Sequence, residues 1–454
     1  MKKNYFFLIL LLILSFNSFS QTHTWTGFGG DTNWFNASNW DIGSVPSSFD
    51  TTIIPANFFV EIIEDSAFSG IIQLLDNATL SIENNLTLNQ SIITSAESTV
   101  IWKKGIYKGG LIVNGLFKIE SFETKEFDNA FINNYGTINV LNSGIIHFLN
   151  EVSIFNSIDA VISIESSGGF LEQGGIATIN NEGLIEMPSN EMSRSYYMVF
   201  DLNNTGVINV GENQTFLFLV SSQNLNNLET GILEGVGALD ITANFTNTGT
   251  FSPAGSGTVG MMDVVNNFNF PSEATVEIDI EGTNPSEFDL IRVFGFPILE
   301  GNIDVNLEYA PEIDDEFIII TANAITSCNL PEYITATFNG LEYKFLVICN
   351  PTNLTLRMVE IVLDIHDYES NNISFFTNPN PAVNFTQFVF PKEILEIYSE
   401  TYISIFNFIG QEVAQVPITS ETVSFNSSNF ASGFYFAQLK AENKVLATTK
   451  FVMR

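Results

Sequence analysis

The chain has 454 residues, 45% of them hydrophobic, and carries 51 Asp and Glu against 16 Lys and Arg, a formal net charge of −35. This hydrophobic content excludes a chain that is disordered by composition. Because phosphate backbones are neutralised by clustered Lys and Arg, the acidity excludes a nucleic-acid partner. Short β-branched and aromatic runs between Asn and Gly predict an all-β protein.

Residues 1–20 have the pattern of a secretory signal peptide. Two lysines precede an apolar run over residues 5–14, and Ser18 and Ser20 lie before a predicted cut at Gln21. The run is shorter than the ~20 residues that a membrane-spanning helix needs. We therefore expect an exported chain without a transmembrane segment in its mature part.

Residues 21–55 are predicted to form an N-terminal cap. Three of the four tryptophans, Trp25, Trp34 and Trp40, lie close together here among Gly and Asp. The segment resembles the Trp-rich opening of many secreted bacterial β-helix proteins. Two interpretations stay open: exposed indoles stack on sugar rings, or buried indoles form an aromatic plug over a first coil.

A glycine-centred repeat predicts a solenoid over residues 56–253. Its glycines recur with a period in the low twenties or close to twice that, which indicates degenerate copies between the recognisable ones. After the glycine a short strand alternates, with Ile138 and Val140 facing inward. We interpret the Asn-x-Gly as a corner with left-handed backbone angles. The segments are IVNGLFKI (112–119), INNYGTINV (132–140), INNEGLIEM (179–187), LNNTGVINV (202–210) and FTNTGTFSP (245–253).

One coil of this size cannot bury its own apolar face, so the coils must stack. We predict a right-handed parallel β-helix, with about nine coils up to residue 253. Asparagines at one corner are expected to form a hydrogen-bonded ladder. The alternative architecture is a series of antiparallel sandwiches.

Residues 254–359 are predicted to hold the last coils and a hairpin cap. The segment from Ser252-Pro253 through Gly257-Thr258-Val259 and the strands near 276–280 and 288–291 to Gly301 resembles the end of the passenger β-helix in autotransporter-like adhesins. The resemblance implies final coils and an antiparallel cap, and it implies no activity.

The two cysteines, Cys328 and Cys349, flank a segment that reads as a hairpin turning at Asn339-Gly340. Disulfides persist on the export side of a membrane. We therefore predict a disulfide across the base of this hairpin, with two buried free thiols as the alternative.

A linker is predicted over residues 360–377, followed by a small immunoglobulin-like β-sandwich over 378–454. Its strands are predicted at 385–390, 402–407, 412–416, 422–425, 433–440 and 444–452. The segment opens on NPNPA, continues with IFNFIGQEV and FASGFYF, and ends on a basic strand. These features resemble the type A C-terminal sorting domain of type IX secretion cargo in Bacteroidetes.

The resemblance implies passage through the periplasm and across the outer membrane by the type IX machinery, usual removal of the domain, and release or attachment to surface lipopolysaccharide. The mature protein is then secreted or held at the outer-membrane surface. The matching positions are Asn378, Pro379, Pro381, Gly410, Gln411, Gly433, Tyr435 and Lys450.

Residues that carry chemistry are sparse and scattered. His23, His147 and His366 are far apart in sequence, and no hydrolase, metalloprotease or phosphate-binding motif is found. We expect no catalytic site and no cofactor; no residue is assigned to a metal site, and calcium binding stays open. A basic-aromatic segment, IWKKGIYKGG around Trp102, is either a solvated edge or a site for an anionic glycan.

The sequence therefore predicts an exported, non-enzymatic β-helix protein with an adhesin-like or structural role. The first alternative is a carbohydrate-binding protein that uses Trp25, Trp34, Trp40 or Trp102 to bind host or environmental glycans. The second alternative is a glycan-active enzyme.

Overall fold

A computed structural model describes residues 20–266, 268–362, 373–392, 394–395, 398, 401–418, 420, 422–441 and 444–454. Except for Ser20, the predicted signal peptide lies outside these residues. The chain divides into two units, up to Val362 and from Leu363 onward. Nearly all regular secondary structure in the described residues is β-strand, which confirms the all-β prediction.

The first unit contains one short 3-10 helix, Ala37–Asn39, and the strands β1 to β37. In chain order these are β1 Thr22–Thr24, β2 Thr51–Ile54, β3 Phe59–Ile62, β4 Ala67–Ser69, β5 Ile71–Leu74, β6 Thr79–Ile82, β7 Leu86–Thr94, β8 Thr99–Trp102, β9 Gly105–Val113, β10 Leu116–Glu120, β11 Lys125–Asn134, β12 Thr137–Leu141, β13 Ile145–Asn156, β14 Val161–Glu165, β15 Gly168–Glu172, β16 Ile176–Asn181, β17 Leu184–Met187, β18 Arg194–Val199, β19 Asp201–Asn204, β20 Val207–Val210, β21 Gln214–Phe218, β22 Asn224–Asn227, β23 Ile232–Gly235, β24 Ala238–Ile241, β25 Asn244–Asn247, β26 Thr250–Pro253, β27 Met261–Asn266, β28 Asn269–Phe270, β29 Thr275–Ile280, β30 Leu290–Phe294, β31 Ile298–Leu299, β32 Asn302–Leu307, β33 Glu316–Ala322, β34 Ser327–Cys328, β35 Tyr333–Phe338, β36 Leu341–Cys349 and β37 Asn353–Val362.

Each coil contributes strand segments to three faces, and the strands within each face are parallel. Face 1 contains β2, β5, the second halves of β7, β9, β11 and β13, then β16, β19, β22 and β25. Face 2 is a 12-stranded sheet in the order β3-β6-β8-β10-β12-β14-β17-β20-β23-β26-β29-β32. Face 3 contains β4, the first halves of β7, β9, β11 and β13, then β15, β18, β21, β24, β27, β30 and β33. The predicted parallel β-solenoid is confirmed.

The coils are slightly more numerous than the repeat predicts. Ten strands of face 2 lie before residue 254, whereas the prediction was about nine coils. The early coils are shorter than the later ones: Thr99 of β8 pairs with Leu116 of β10, whereas Leu184 of β17 pairs with the more distant Val207 of β20. Degenerate copies do lie between the recognisable repeats, because β14 and β23 fill the two long gaps.

Inward-facing aliphatic and aromatic side chains form one continuous core through the stack. Ile138, Val140, Ile185, Met187 and Ile208 are all buried, as the alternation predicted. Successive coils therefore bury the faces that a single coil would leave exposed to water.

The repeat glycines are required by close packing of coils, and the prediction of left-handed corners at these positions is wrong. A Cβ on Gly206 would lie 2.2 Å from the carbonyl oxygen of Gly183, and one on Gly136 would lie 2.3 Å from that of Gly115. None of these repeat glycines has a positive φ. The side-chain hydrogen of glycine lets the backbone of one coil approach the next.

The asparagines that end the face-1 strands form the predicted ladder, and four of the six lie two residues before a repeat glycine. Six buried amides are joined from coil to coil by Nδ2–H···Oδ1 hydrogen bonds of 2.7–2.8 Å. The ladder lies at the corner between faces 1 and 2. Its members are Asn134, Asn156, Asn181, Asn204, Asn227 and Asn247.

The N-terminal segment covers the first strands of faces 1 and 2. Strand β1 pairs in parallel with β2 at the edge of face 1, and Asn33 forms a bridge to Glu61 of β3 at the edge of face 2. Because β2 is already part of face 1, the solenoid begins at Thr51, inside the region predicted as cap.

The C-terminal end of the solenoid is covered by an antiparallel meander. Strand β33 pairs in parallel with β30 and antiparallel with β37, and β36 lies between β35 and β37. The predicted hairpin turn is present, since Asn339 and Gly340 both have positive φ. A disulfide joins Cys328 of β34 to Cys349 of β36, with a Cα–Cα distance of 6.5 Å.

The linker predicted over 360–377 is shorter at both ends. Strand β37 continues through Val362, and the first strand of the second unit begins at Phe376. Residues 363–372 lie outside the described residues.

The second unit packs two small sheets around one core. Its strands are β38 Phe376–Val383, β39 Phe385–Val389, β40 Thr401–Asn407, β41 Glu412–Pro417, β42 Thr422–Asn426, β43 Gly433–Ala441 and β44 Lys444–Met453. The sheet order is β41-β40-β43-β44-β38-β39-β42, and β38 connects the two sheets through a single pair, Ala382 with Met453. The six predicted strands are present, and β38 is an additional strand that contains the NPNPA segment.

Candidate functional site

The NPNPA segment of the second unit is bound to the end of the chain. The Asn380 Oδ1 accepts a hydrogen bond of 2.9 Å from the Val452 N–H, and the Asn380 Nδ2 donates to the Lys450 carbonyl at 3.4 Å. The Arg454 N–H donates to the Ala382 carbonyl at 2.9 Å. The opening motif and the terminal basic strand therefore form one structural element.

The other motif positions lie at the same end of this sheet. Asn407, Tyr435 and Phe451 pair in one row across β40, β43 and β44. The hairpin that follows Asn407 has Gly410 in the left-handed region at φ 78°, and the Gln411 N–H donates to the Asn407 Oδ1 at 2.9 Å.

The remaining predicted sorting residues have defined positions. Tyr435 is buried and its hydroxyl donates to the Ala431 carbonyl at 2.9 Å, while Gly433 pairs with Met453. The Lys450 Nζ lies 5.4 Å from the centre of the exposed Phe434 ring. Asn378 pairs with Gln387, and the Pro379 carbonyl accepts from the Thr386 hydroxyl at 2.8 Å. Pro381 belongs to the same strand, β38.

Residues 378–454 match the family model of the secretion system C-terminal sorting domain. The matched range begins at the NPNPA motif and ends at the last residue, as the resemblance predicted. A sequence search found no curated protein that matches the chain.

The sorting domain indicates export by the type IX secretion system and a location at the cell surface or outside the cell. It also makes the type IX machinery an interaction partner of this chain. Within the described residues, no helix is long and apolar enough to cross a lipid bilayer.

The acidity is confined to the chain before the sorting domain. Residues 378–454 hold six of the 51 acidic residues and five of the 16 basic ones, so this domain is close to neutral. The chain before it holds all the others, and acidic side chains far outnumber basic ones there. An acidic surface of this kind repels polyanions and favours solubility.

The tryptophans of the N-terminal cap are core residues, so their proposed role as exposed sugar-stacking platforms is wrong. Trp25, Trp34 and Trp40 are at most 2% exposed. Trp40 packs edge-on against both other indoles, with ring centres 5.0 and 4.9 Å apart, and its Nε1–H donates to the Trp34 carbonyl at 2.8 Å. The plug interpretation describes this segment.

Trp102 is also buried, which removes the fourth predicted sugar contact. Its ring centre lies 4.5 Å from that of Phe127, and its Nε1–H donates to the Lys104 carbonyl. Two lysines of this segment are paired with acids: Lys103 with Glu83 at 2.6 Å, and Lys108 with Asp128 at 2.5 Å. The hydrogen bond to Glu83 raises the pKa of Lys103.

Face 1 carries a surface that the sequence did not predict as a site. Phe131 is 43% exposed and Tyr135 is 50% exposed, and the Tyr135 ring packs edge-on against Phe155 at 6.4 Å. A cavity of about 380 Å³ lies between Phe131 and Thr178 on β11, β13 and β16. A second cavity of about 320 Å³ begins at Phe155 and extends across β16 and β19.

These aromatic side chains escape sequence reasoning because only strand register places them side by side. Phe131 and Phe155 belong to successive coils and are distant in sequence, but they lie on adjacent strands of face 1. A signal was present in the repeat itself, since each segment places an outward side chain directly before the ladder asparagine.

A buried carboxyl pair lies near the C-terminal end of the solenoid. The Asp289 carboxyl accepts hydrogen bonds from the Gly260 N–H at 2.6 Å and the Asp279 N–H at 2.9 Å. The Asp279 Oδ2 accepts from the Gly257 N–H at 2.8 Å, so the pair anchors the loop over residues 254–260. Burial raises the pKa of Asp289 to about 8.

The described residues do not form a metal-binding group of three or more His, Cys, Asp or Glu side chains. His23 is buried in the cap and its Nε2 lies 3.2 Å from the Asp50 carboxylate. His147 lies on β13, and His366 lies outside the described residues.

Proposed function

We propose that the chain is an exported, non-enzymatic, adhesin-like protein of the cell exterior in which the sorting domain delivers the solenoid. The single observation that supports this role is that the repeat residues serve to stack the coils. The ladder amides, the close-packed glycines and the inward aliphatic pairs are all used in stacking one coil on the next. The repeat therefore builds a long, regular outer surface, which suits contact with a surface or polymer.

The finer steps of delivery belong to the same proposal. An N-terminal signal peptide takes the chain to the periplasm, and the type IX machinery of a Bacteroidetes host takes it across the outer membrane. The sorting domain is then removed, and the solenoid is released or attached to lipopolysaccharide.

The test is to recover the mature protein from a host that carries the type IX machinery. We expect a chain that starts at Gln21, ends before the NPNPA motif and is located at the surface or in the medium. Incubated with crude polysaccharides, it should release no reducing sugar or unsaturated uronate. Sugar release would show an enzyme, and a full-length periplasmic chain would contradict delivery.

A further inference from the structure

The outer surface of face 1 differs in chemistry from that of face 2. Outward residues that pair from strand to strand form a column across each face. One such column of face 1, from β11 to β25, contains only amide, hydroxyl and aromatic side chains. The corresponding outward column of face 2 contains Lys118, Glu186 and Glu234. The face-1 column is Asn133, Phe155, Asn180, Asn203, Asn226 and Thr246.

The amides in this column are fixed in orientation by one another. The Asn203 Nδ2 donates to the Asn180 Oδ1 at 2.9 Å, and the Asn226 Nδ2 donates to the Asn203 Oδ1 at 2.9 Å. An amide has two N–H donors and an oxygen with two lone pairs, so Asn203 keeps a donor and an acceptor after these bonds. Oriented amides therefore repeat over β16, β19 and β22, at the ~4.8 Å spacing of neighbouring strands.

Aromatic rings lie at the β11–β13 end of the same surface. The ring of Phe131 lies over Gly110 of the preceding coil, where a Cβ would come within 2.2 Å of it. The ring is therefore held against the sheet, and nearly half of the side chain faces solvent. Tyr135 and Phe155 lie one coil apart beside it.

The two cavities are neighbours on this surface, lined by different residues of the same strands. Ser153 in the first and Phe155 in the second alternate on β13, and Thr178 and Asn180 alternate on β16. Each has a volume within the ~300–1,000 Å³ typical of ligand sites. Among the described residues that line them are glutamates but no lysine or arginine.

We infer that face 1, from Phe131 to Asn226, binds a neutral polysaccharide chain laid across the strands. Aromatic ring faces bind the C–H faces of sugar rings, and oriented amides bind sugar hydroxyl groups. The nearby Glu151 and Glu182, together with the acidic solenoid, exclude a polyanion. This site rests on the proposed function and gives the adhesin-like surface its ligand class.

The experiment measures retention of the purified exported chain on amorphous cellulose, insoluble mannan and cross-linked polygalacturonate. We expect retention on at least one neutral polymer that persists at 0.5 M salt, a concentration of about five times that at which the Debye length is ~10 Å. Retention only on polygalacturonate, or on none of the three polymers, would overturn the inference.

Variants locate the site. Phe131→Ala and Asn203→Ala should each weaken binding about tenfold, which is the loss typical of truncating a buried contact at the centre of an interface. Tyr197→Ala is the matched control, since Tyr197 is a 41% exposed aromatic that also pairs with a glycine, Gly169, but lies on face 3. Equal binding by the Phe131 and Tyr197 variants would overturn the site.

A second substitution keeps the test valid if a truncation unfolds the coil. Ser153→Arg adds bulk and charge at an exposed position in the lining of the first cavity without removing any core contact. It should abolish retention with an unchanged melting temperature. Unchanged retention would also overturn the site.

Sugar release in the same tubes tests the proposed function separately. A chain that reaches the cell exterior and releases no sugar but binds no neutral polymer contradicts only the ligand. A chain that cleaves the polymer contradicts the non-enzymatic role, whatever the face-1 variants show.

Discussion

Asn181 lies inside the buried amide ladder and is bonded on both sides. It accepts from Asn156 and donates to Asn204, each at 2.7 Å. Asn181→Ala leaves two buried polar groups short of a partner, which should lower the free energy of unfolding by about 3 kcal/mol. Urea unfolding followed by circular dichroism measures the change.

Asn247 is the matched control at the end of the ladder. Its Oδ1 accepts from Asn227 at 2.8 Å, but its own Nδ2 is buried without a partner. The Asn247 Oδ1 also accepts from the Gly249 N–H at 3.2 Å. Asn247→Ala therefore removes an unsatisfied donor together with two bonds, and should cost less than Asn181→Ala, which removes four. Equal losses at the two positions would contradict a ladder that acts through both neighbours.

Asp289 should make stability depend on pH. Burial raises its pKa from 3.8 to about 8, so the folded chain holds this proton more tightly than the unfolded chain. Its contribution is fully present below pH ~3.8 and is lost as the pH rises through about 8. The free energy of unfolding should fall between pH 5 and about 8.5 more steeply in the natural chain than in Asp289→Asn.

The control for this titration is Asp304→Asn, because Asp304 is an exposed carboxylate on β32. It should leave the slope unchanged. Parallel pH profiles for the natural chain and Asp289→Asn would contradict the effect of the buried proton.

At the scale of elements, Gly206 is required by the distance between coils. A Cβ there would lie 2.2 Å from a backbone oxygen, whereas a Cβ on Gly144 would have its nearest neighbour at 3.5 Å. Gly206→Ala should lower the free energy of unfolding by about 1–3 kcal/mol through overpacking. Gly144→Ala should be neutral in the same unfolding assay, and a larger loss at Gly144 would contradict this account.

The disulfide joins the last short strand of the solenoid to the C-terminal meander. It closes a loop with a sequence separation of 21 residues, which corresponds to a stabilisation of about 3 kcal/mol. Replacing both Cys328 and Cys349 by Ser should speed proteolysis within residues 329–348. Reducing agent should speed cleavage of the natural chain but not of the double variant, and equal rates without it would contradict a structural bridge.

Much of the architecture could be predicted because the coil has a short period. The Asn-x-Gly signature marks one corner of four coils, and the alternation after it gives the inward residues of face 2. The reason for the glycine could not be predicted, since the close approach of Gly206 to Gly183 exists only after the coils stack. Exposure of the tryptophans could not be predicted either, because an indole among turn residues suits a plug or a platform equally.

The surface chemistry of face 1 was out of reach for the same reason. Phe131 and Phe155 come from different coils. Irregularities within β11 and β13 shift the strand register before the segments that carry these two residues. The bends at Asn129 and Asn150 have positive φ and carry one strand from face 3 into face 1. No local pattern reports such a register. The sorting domain was predictable because its motifs are local and ordered along the chain.

At the scale of the whole molecule, the sorting domain differs from the chain before it in both charge and fold. A close-to-neutral sorting domain, residues 378–454, follows a strongly acidic part that contains the solenoid. The basic residues near the chain end belong to the sorting domain, where the terminal strand is bound to the NPNPA segment. The second unit therefore carries the sorting signal, and the first carries the proposed contact surface.

The measurement that tests this division most directly compares the full chain with a chain that ends at Thr377. Both are expressed in a host with the type IX machinery, and an antibody to the solenoid quantifies them in periplasm, cell surface and medium. We predict that the full chain reaches the surface or medium and that the shortened chain, though folded, stays in the periplasm. Equal amounts of the two chains outside the cell would contradict the account.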